Sequence, residues 1–144
     1  MKKNLSVLAY GLMVLGLWGL LAQKSLFSAS PLVLVPQAAA AVLMVAARLA
    51  FGARSFHFAA NPTKGGLVTW GPYRFIRHPI YTSVCLFVVP GVITHFSALN
   101  GGLLALILAG AAIRIRLEET LLLAEYPEYA DYSKKTWRMV PYVY

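Results

Sequence analysis

Gly71-Pro72-Tyr73-Arg74-Phe75-Ile76-Arg77-His78-Pro79-Ile80-Tyr81 sets two arginines, a histidine and two tyrosines at the head of a long apolar run. From Pro79 to Ile113 the chain has no Asp, Glu, Lys or Arg. A charged side chain at the bilayer centre costs about 2.5–3.5 kcal/mol on insertion scales, so such a cluster marks a polar pocket rather than a lipid-facing wall. Within the run, His95-Phe96-Ser97-Ala98-Leu99-Asn100-Gly101-Gly102 reads as a turn between two helices. Each arm has about 15 residues, short for a full span, so tilt or local thinning is expected, with a kink at Pro90.

Outward from this hairpin the pattern repeats. Leu5 to Ala22 is uncharged and just long enough to cross a bilayer. Met1-Lys2-Lys3 and Ser28-Ala29-Ser30 have the look of a signal peptide's ends. The apolar run exceeds a usual signal core, however, and is read as a retained helix. A second helix is expected from Pro31 to Phe51, because proline is tolerated in a first turn. Residues 52–70, with Asn61-Pro62, Gly65 and Gly66, read as a polar connector.

Composition agrees. The 144 residues are 59% hydrophobic and 12% charged, where soluble domains average about 25% charged. The expected architecture is all-α: a single membrane domain over 1–144 with four transmembrane helices and a cytoplasmic, amphipathic C-terminal helix. Residues 1–51 hold two N-terminal helices, and 65–144 form the half that carries the chemistry. Of thirteen lysines and arginines, only Lys24 falls outside if the N-terminus is cytoplasmic. That bias predicts both termini inside, in a bacterial inner membrane, and puts both polar clusters on one side. The net charge of +8 follows the membrane segments, which argues against nucleic acid as a partner. All five acids lie between Glu118 and Asp131. Leu117, Leu121, Leu122 and Ala124, with Tyr126, Tyr129 and Tyr132, suggest an interfacial helix anchored by aromatic rings, with Trp70 and Trp137 in the same belt.

The clusters carry chemistry if they meet. A helix starting near Pro79 presents free N–H groups and a dipole that favour anions. His78 and Tyr81 share one face of it at i, i+3; the bland alternative is that Arg74, Arg77 and Tyr81 anchor a helix at the headgroups. Arg114 and Glu118 pair at i, i+4, whereas Glu119 points about 100° away, so only one of the two acids is expected in the same pocket. No metal site is expected, because His57, His78 and His95 have no ligand spacing. Cys85 sits in an apolar helix away from any base, and neither a P-loop nor a GxGxxG fingerprint is present.

At these residues the chain resembles the isoprenylcysteine carboxyl methyltransferase and phospholipid methyltransferase group of integral membrane enzymes. The resemblance runs from about Gly65 to Pro141. It rests on Leu67-Val68-Thr69, Gly71-Pro72-Tyr73, Arg77-His78-Pro79-Ile80-Tyr81, Arg114, Glu118-Glu119 and Glu128-Tyr129-Ala130-Asp131-Tyr132. The first two helices carry no signature of the family. The resemblance implies an S-adenosylmethionine pocket lined by Leu67, Val68, Tyr73, His78, Pro79, Ile80, Tyr81 and Glu118, with Arg114 facing a lipophilic or amphiphilic methyl acceptor. Arg114 and Glu118 are then the catalytic candidates. Trp70 stands where the family has a small polar residue, and Tyr126-Pro127 replaces a Phe-Gly step. The rivals are an NADPH-dependent lipid reductase, whose extra phosphate would need Arg74 and Arg77 together, and a non-catalytic protein binding anionic lipid.

The charge bias generates a first test. Cysteines introduced at Lys64 and Lys134 in a Cys85→Ala background should stay unlabelled by an impermeant maleimide added to intact cells. Efficient labelling of either from outside would overturn the topology.

Overall fold

The computed structural model describes residues 2–52 and 66–144. Most of the expected connector, with Arg54, His57 and Lys64, lies outside the described residues. Five α-helices are formed among those described: α1 (Lys2–Ala22), α2 (Pro31–Phe51), α3 (Pro79–Thr94), α4 (Ala98–Glu125) and α5 (Tyr129–Lys134), with a 3₁₀ turn at Gly71–Arg74 ahead of α3. Helix ends follow local chemistry. The Ser30 hydroxyl accepts from the Leu32 N–H with Pro31 at the first position, and Ser97 caps α4 by accepting from the Asn100 N–H.

Three described helices are long and apolar enough to cross a membrane: α1, α2 and α4. α3 has 16 residues, about 24 Å of helix, which is short of the ~30 Å hydrocarbon core. The turn falls at residues 95–97, as expected. The second arm, however, does not stop near Ile113; α4 continues for 28 residues through Arg114, Glu118 and the Leu117–Ala124 stretch. The amphipathic C-terminal helix is therefore not a separate element at those leucines. The one turn after α4, α5, has six residues.

α1 packs most closely on α4, and α2 on α3. Glycine sets the first contact. A Cβ at Gly110 would lie 2.5 Å from the Ala9 carbonyl oxygen, and one at Gly16 would lie 2.7 Å from the Leu103 carbonyl, so α1 and α4 approach with backbone nearly touching. At the far end of the bundle, buried polar side chains tie the pieces together. Gln37 Nε2 donates to the Leu26 and Phe87 carbonyls at 2.7 and 3.1 Å. Asn100 Nδ2 donates to Ser25 Oγ and the His95 carbonyl, both at 2.7 Å. Leu20, Leu26, Val88, Val92 and Ile107 form an apolar core that joins α1, α3 and α4.

Gly110→Val should lower stability by about 1–3 kcal/mol, the usual cost of overpacking. Gly11→Val, at a position with nothing within 4 Å, should change little. Thermal unfolding of both variants in detergent checks this; equal melting temperatures would mean that α1 and α4 are not held by the close approach.

Candidate active site

The chain after α5 doubles back onto the segment before α3. Ile76 and Trp137 form an isolated parallel bridge, the Arg77 N–H donates to the Trp137 carbonyl at 2.7 Å, and the His78 N–H donates to the Arg138 carbonyl at 2.9 Å. Thr82 Oγ1 adds a bond to the Met139 carbonyl at 2.9 Å. This strap fixes the entry of α3 against α4, and the charged side chains meet there.

Glu119 is the hub. Its Oε1 accepts from Arg77 Nε and its Oε2 from Arg138 Nε, both at 2.9 Å. Arg77 reaches further, donating from Nη1 to the Ser133 carbonyl at 2.8 Å and to the Thr136 carbonyl. Arg77 is thus an internal brace and not a headgroup anchor. Arg74 instead lies against the Phe75 ring, 5.8 Å from its centroid. Arg77 is thus committed to Glu119 and the tail, which does not favour the phosphate-binding pair that a reductase reading needs.

Beside the hub lies a second group. The Tyr81 hydroxyl donates to Glu118 Oε1 at 2.5 Å and accepts from Arg114 Nε at 2.7 Å, while Arg114 Nη2 donates to the same Glu118 oxygen at 3.1 Å. The His78 ring stands between the acids, with Nδ1 3.7 Å from Glu118 Oε2 and Nε2 3.4 Å from Glu119 Oε1. Both acids flank this ring, and only Glu118 joins Arg114 and Tyr81. The 100° step around α4 sends them to opposite sides of an inserted ring, and their flexible stems make up the rest. His78 Nε2 is buried without a hydrogen bond, and Glu118, its side chain 23% exposed, makes all its side-chain bonds through Oε1.

His78, Tyr81, Arg114 and Glu118 are thus together, with Pro79 opening α3 beneath them. Val68, Tyr73 and Ile80 pack instead with Ala47, Ala50 and Phe51 at the end of α2, and Leu67 is half-buried alongside in sequence. This apolar wall adjoins the cluster. Burial, then the neighbouring Tyr132 and Glu118, holds the Tyr73 phenol above its ordinary pKa. Burial likewise pushes Tyr132 up to about 12, and its hydroxyl donates to the Tyr73 carbonyl at 2.6 Å. Tyr129 is 2% exposed, its phenol pushed up by burial and by Glu119. These tyrosines are internal struts, not the interfacial anchors expected from their spacing. Trp70, 61% exposed, stays on the surface.

Sequence reasoning missed Glu119 and Arg138. The available signal was that Glu119 directly follows Glu118, but no spacing links an acid on α4 to an arginine in the tail. Among the described residues, no group of three or more His, Cys, Asp or Glu side chains could hold a metal ion.

Two curated relatives match about half of the chain. The nickel-cobalt-cadmium resistance protein NccN of Alcaligenes xylosoxydans xylosoxydans is 40% identical over 80 residues, covering 52% of this chain and 36% of the relative. The cobalt-zinc-cadmium resistance protein CzcN of Cupriavidus metallidurans is 38% identical over 77 residues, covering 52% and 35%. The chain thus spans little more than a third of the length of these relatives. No solved structure matches it. A family model, that of the isoprenylcysteine carboxyl methyltransferase (ICMT) family, matches residues 29–124. The match takes in α2, where no signature was read, and stops before the strap. Matched over more than half of its length, the chain belongs to the isoprenylcysteine carboxyl methyltransferase family.

Proposed function

We propose that this protein is an S-adenosylmethionine-dependent methyltransferase that modifies a lipophilic or amphiphilic acceptor at the cytoplasmic face of a bacterial inner membrane, with α3 as a fourth, short span. The observation that carries this reading is the convergence of His78, Tyr81, Arg114 and Glu118 at one end of an otherwise apolar bundle. Family membership supports methyl transfer as the reaction class.

The residues fit the cofactor. Glu118 Oε2 is an acceptor with no hydrogen bond, suited to the ligand's ammonium group, and the buried His78 Nε2 offers a polar contact for its hydroxyls. The wall of Val68, Tyr73 and Ile80 supplies apolar and aromatic surface for an adenine ring. When bound, S-adenosylmethionine supplies an electrophilic methyl group on a sulfonium, whose C–S electron pair leaves with sulfur.

The protein's task is alignment and exclusion of water rather than strong acid–base chemistry. Tyr81 holds Glu118 and Arg114 in register through one hydroxyl, so the two catalytic candidates are fixed relative to each other. Arg114 is the residue assigned to the acceptor in this reading. Its Nε and Nη2 are bonded within the cluster and its Nη1 donates to the Ser6 carbonyl, so it acts as a held positive charge and not as an open two-pronged fork.

Calorimetry of the purified chain with S-adenosylhomocysteine tests the reading directly, with NADPH as the comparison ligand. His78→Ala should weaken the homocysteine ligand by about 1–3 kcal/mol, the usual cost of leaving a buried polar partner unmatched. No binding by the well-folded wild type would sink the proposal. A second test separates roles. Glu118→Gln should weaken S-adenosylhomocysteine, while Arg114→Lys should leave its affinity nearly intact and lower turnover of label from S-adenosylmethionine into a native lipid extract. Equal damage to ligand binding by both would make the pair a structural unit.

A further inference from the structure

The strap that closes the ionic cluster lies at a depth set by helix length. α3 has 16 residues, about 24 Å of rise, against ~30 Å of hydrocarbon. With the turn at residues 95–97 on one boundary, the head of α3 falls about 6 Å short of the other. The strap pairs with Phe75, Arg77 and His78 just ahead of that point, which puts it at the headgroup–acyl boundary and not out in water. α4 gives the same level from a second helix, since Arg114 stands about 24 Å and Glu119 about 32 Å along it from Ala98.

Irregular backbone at such a depth needs its polar groups satisfied internally. The strap meets that demand. The Trp137 N–H donates to the Phe75 carbonyl at 3.0 Å, and those of Met139 and Val140 donate to the Tyr144 carbonyl at 2.8 and 3.0 Å. The Val143 and Tyr144 N–H groups donate to the Val140 carbonyl at 3.1 and 3.0 Å, and Pro141 has no N–H to satisfy. Apolar side chains face outward instead: Phe75, Trp137, Val140, Tyr142 and Val143 are all exposed. Tyr142 is 88% exposed and has φ +66°, a left-handed conformation that glycine adopts at little cost and a bulky residue rarely does. In water such a turn gains nothing from holding a ring there; at a lipid boundary the ring is buried. The Trp137 and Tyr142 rings lie 5.2 Å apart and make one surface. Arg74, 5.8 Å from the Phe75 ring centre, and the exposed Lys135 carry charges suited to headgroup phosphates.

We propose that the strap, Trp137–Tyr144 with Phe75 beside it, is a lipid-docking surface that seats in the bilayer at the headgroup–acyl boundary. Bilayer lipid is then the outer wall of the ionic cluster: Arg77 and Arg138 hold Glu119 from within, and the strap's rings shut out water from without. The family match stops at residue 124, so this surface lies outside it. The inference does not depend on the reaction catalysed.

The fluorescence of Trp137 tests this. The full chain carrying Trp18→Phe and Trp70→Phe, which leaves Trp137 as its one tryptophan, is reconstituted in vesicles of phosphatidylcholine and phosphatidylglycerol. Their acyl chains bear bromine either near the headgroup or near the chain end. Shallow bromine should quench Trp137 strongly, deep bromine weakly, and aqueous acrylamide little. Tyr142→Gly, which relieves the backbone and removes the ring, should roughly halve the shallow quenching at unchanged helix content by circular dichroism. Val143→Ser should lower it in the same direction. Strong quenching by acrylamide would put the strap in water. Shielding from acrylamide and bromine alike would put it under protein, such as a second copy of the chain. Either result overturns the proposal, as does deep quenching stronger than shallow, or a Tyr142→Gly variant quenched as before.

Discussion

One carboxylate shared by two arginines holds this structure's working end together. Glu119 joins Arg77 at the head of α3 to Arg138 in the tail, and its own position on α4 makes the junction three-sided. Removing one partner from a buried ion pair such as Arg77–Glu119 costs about 3–5 kcal/mol, whereas the half-exposed Arg138 contributes less because solvent screens it. With the strap's backbone bonds to Arg77 and His78, the pair fixes where the His78 ring stands. That ring in turn separates the two acids of α4, leaving Glu118 to Tyr81 and Arg114. The hub orients, and the second acid keeps its hydrogen bonds on one oxygen alone. By contrast, the exposed Asp131–Lys134 pair at 2.9 Å contributes little, since solvent screens it and both side chains lose freedom.

The helix positions were legible because lipid imposes a simple rule: long uncharged runs must be helical, and their ends collect serine, proline and glycine. Pro31 and Phe51 bound α2 as read, and the α3–α4 turn falls where His95 and Ser97 announced it. The site was half legible. His78 with Tyr81, and Arg114 with Glu118, are neighbours on single helices, so three- and four-residue spacing reports them. Meeting between the two pairs is a tertiary fact, and the family resemblance supplied it where spacing could not.

What stayed hidden was long-range or depended on burial. Nothing in Tyr129 or Tyr132 distinguishes an interfacial ring from an internal strut, since both uses want an apolar body with a polar tip. Arg77 looked like a headgroup anchor for the same reason. The amphipathic stretch expected as a separate C-terminal helix is the continuation of α4, because charge marks only the limit of the apolar surroundings; the backbone carries on to Glu125. Val68, Tyr73 and Ile80 fell into a wall beside the cluster rather than the cluster itself, a difference of one packing layer that residue type does not encode.

The strap bears on how such a chain is made. Arg77, Glu119 and Arg138 leave the ribosome in that order, and the last follows all four long or apolar helices. Insertion machinery therefore never handles an assembled ionic site. It meets isolated charges at the edges of apolar segments, each free to stay in the aqueous headgroup region while its helix partitions into lipid. The ionic pocket can therefore close only after those four helices have been made, and its completion coincides with withdrawal of those charges from water.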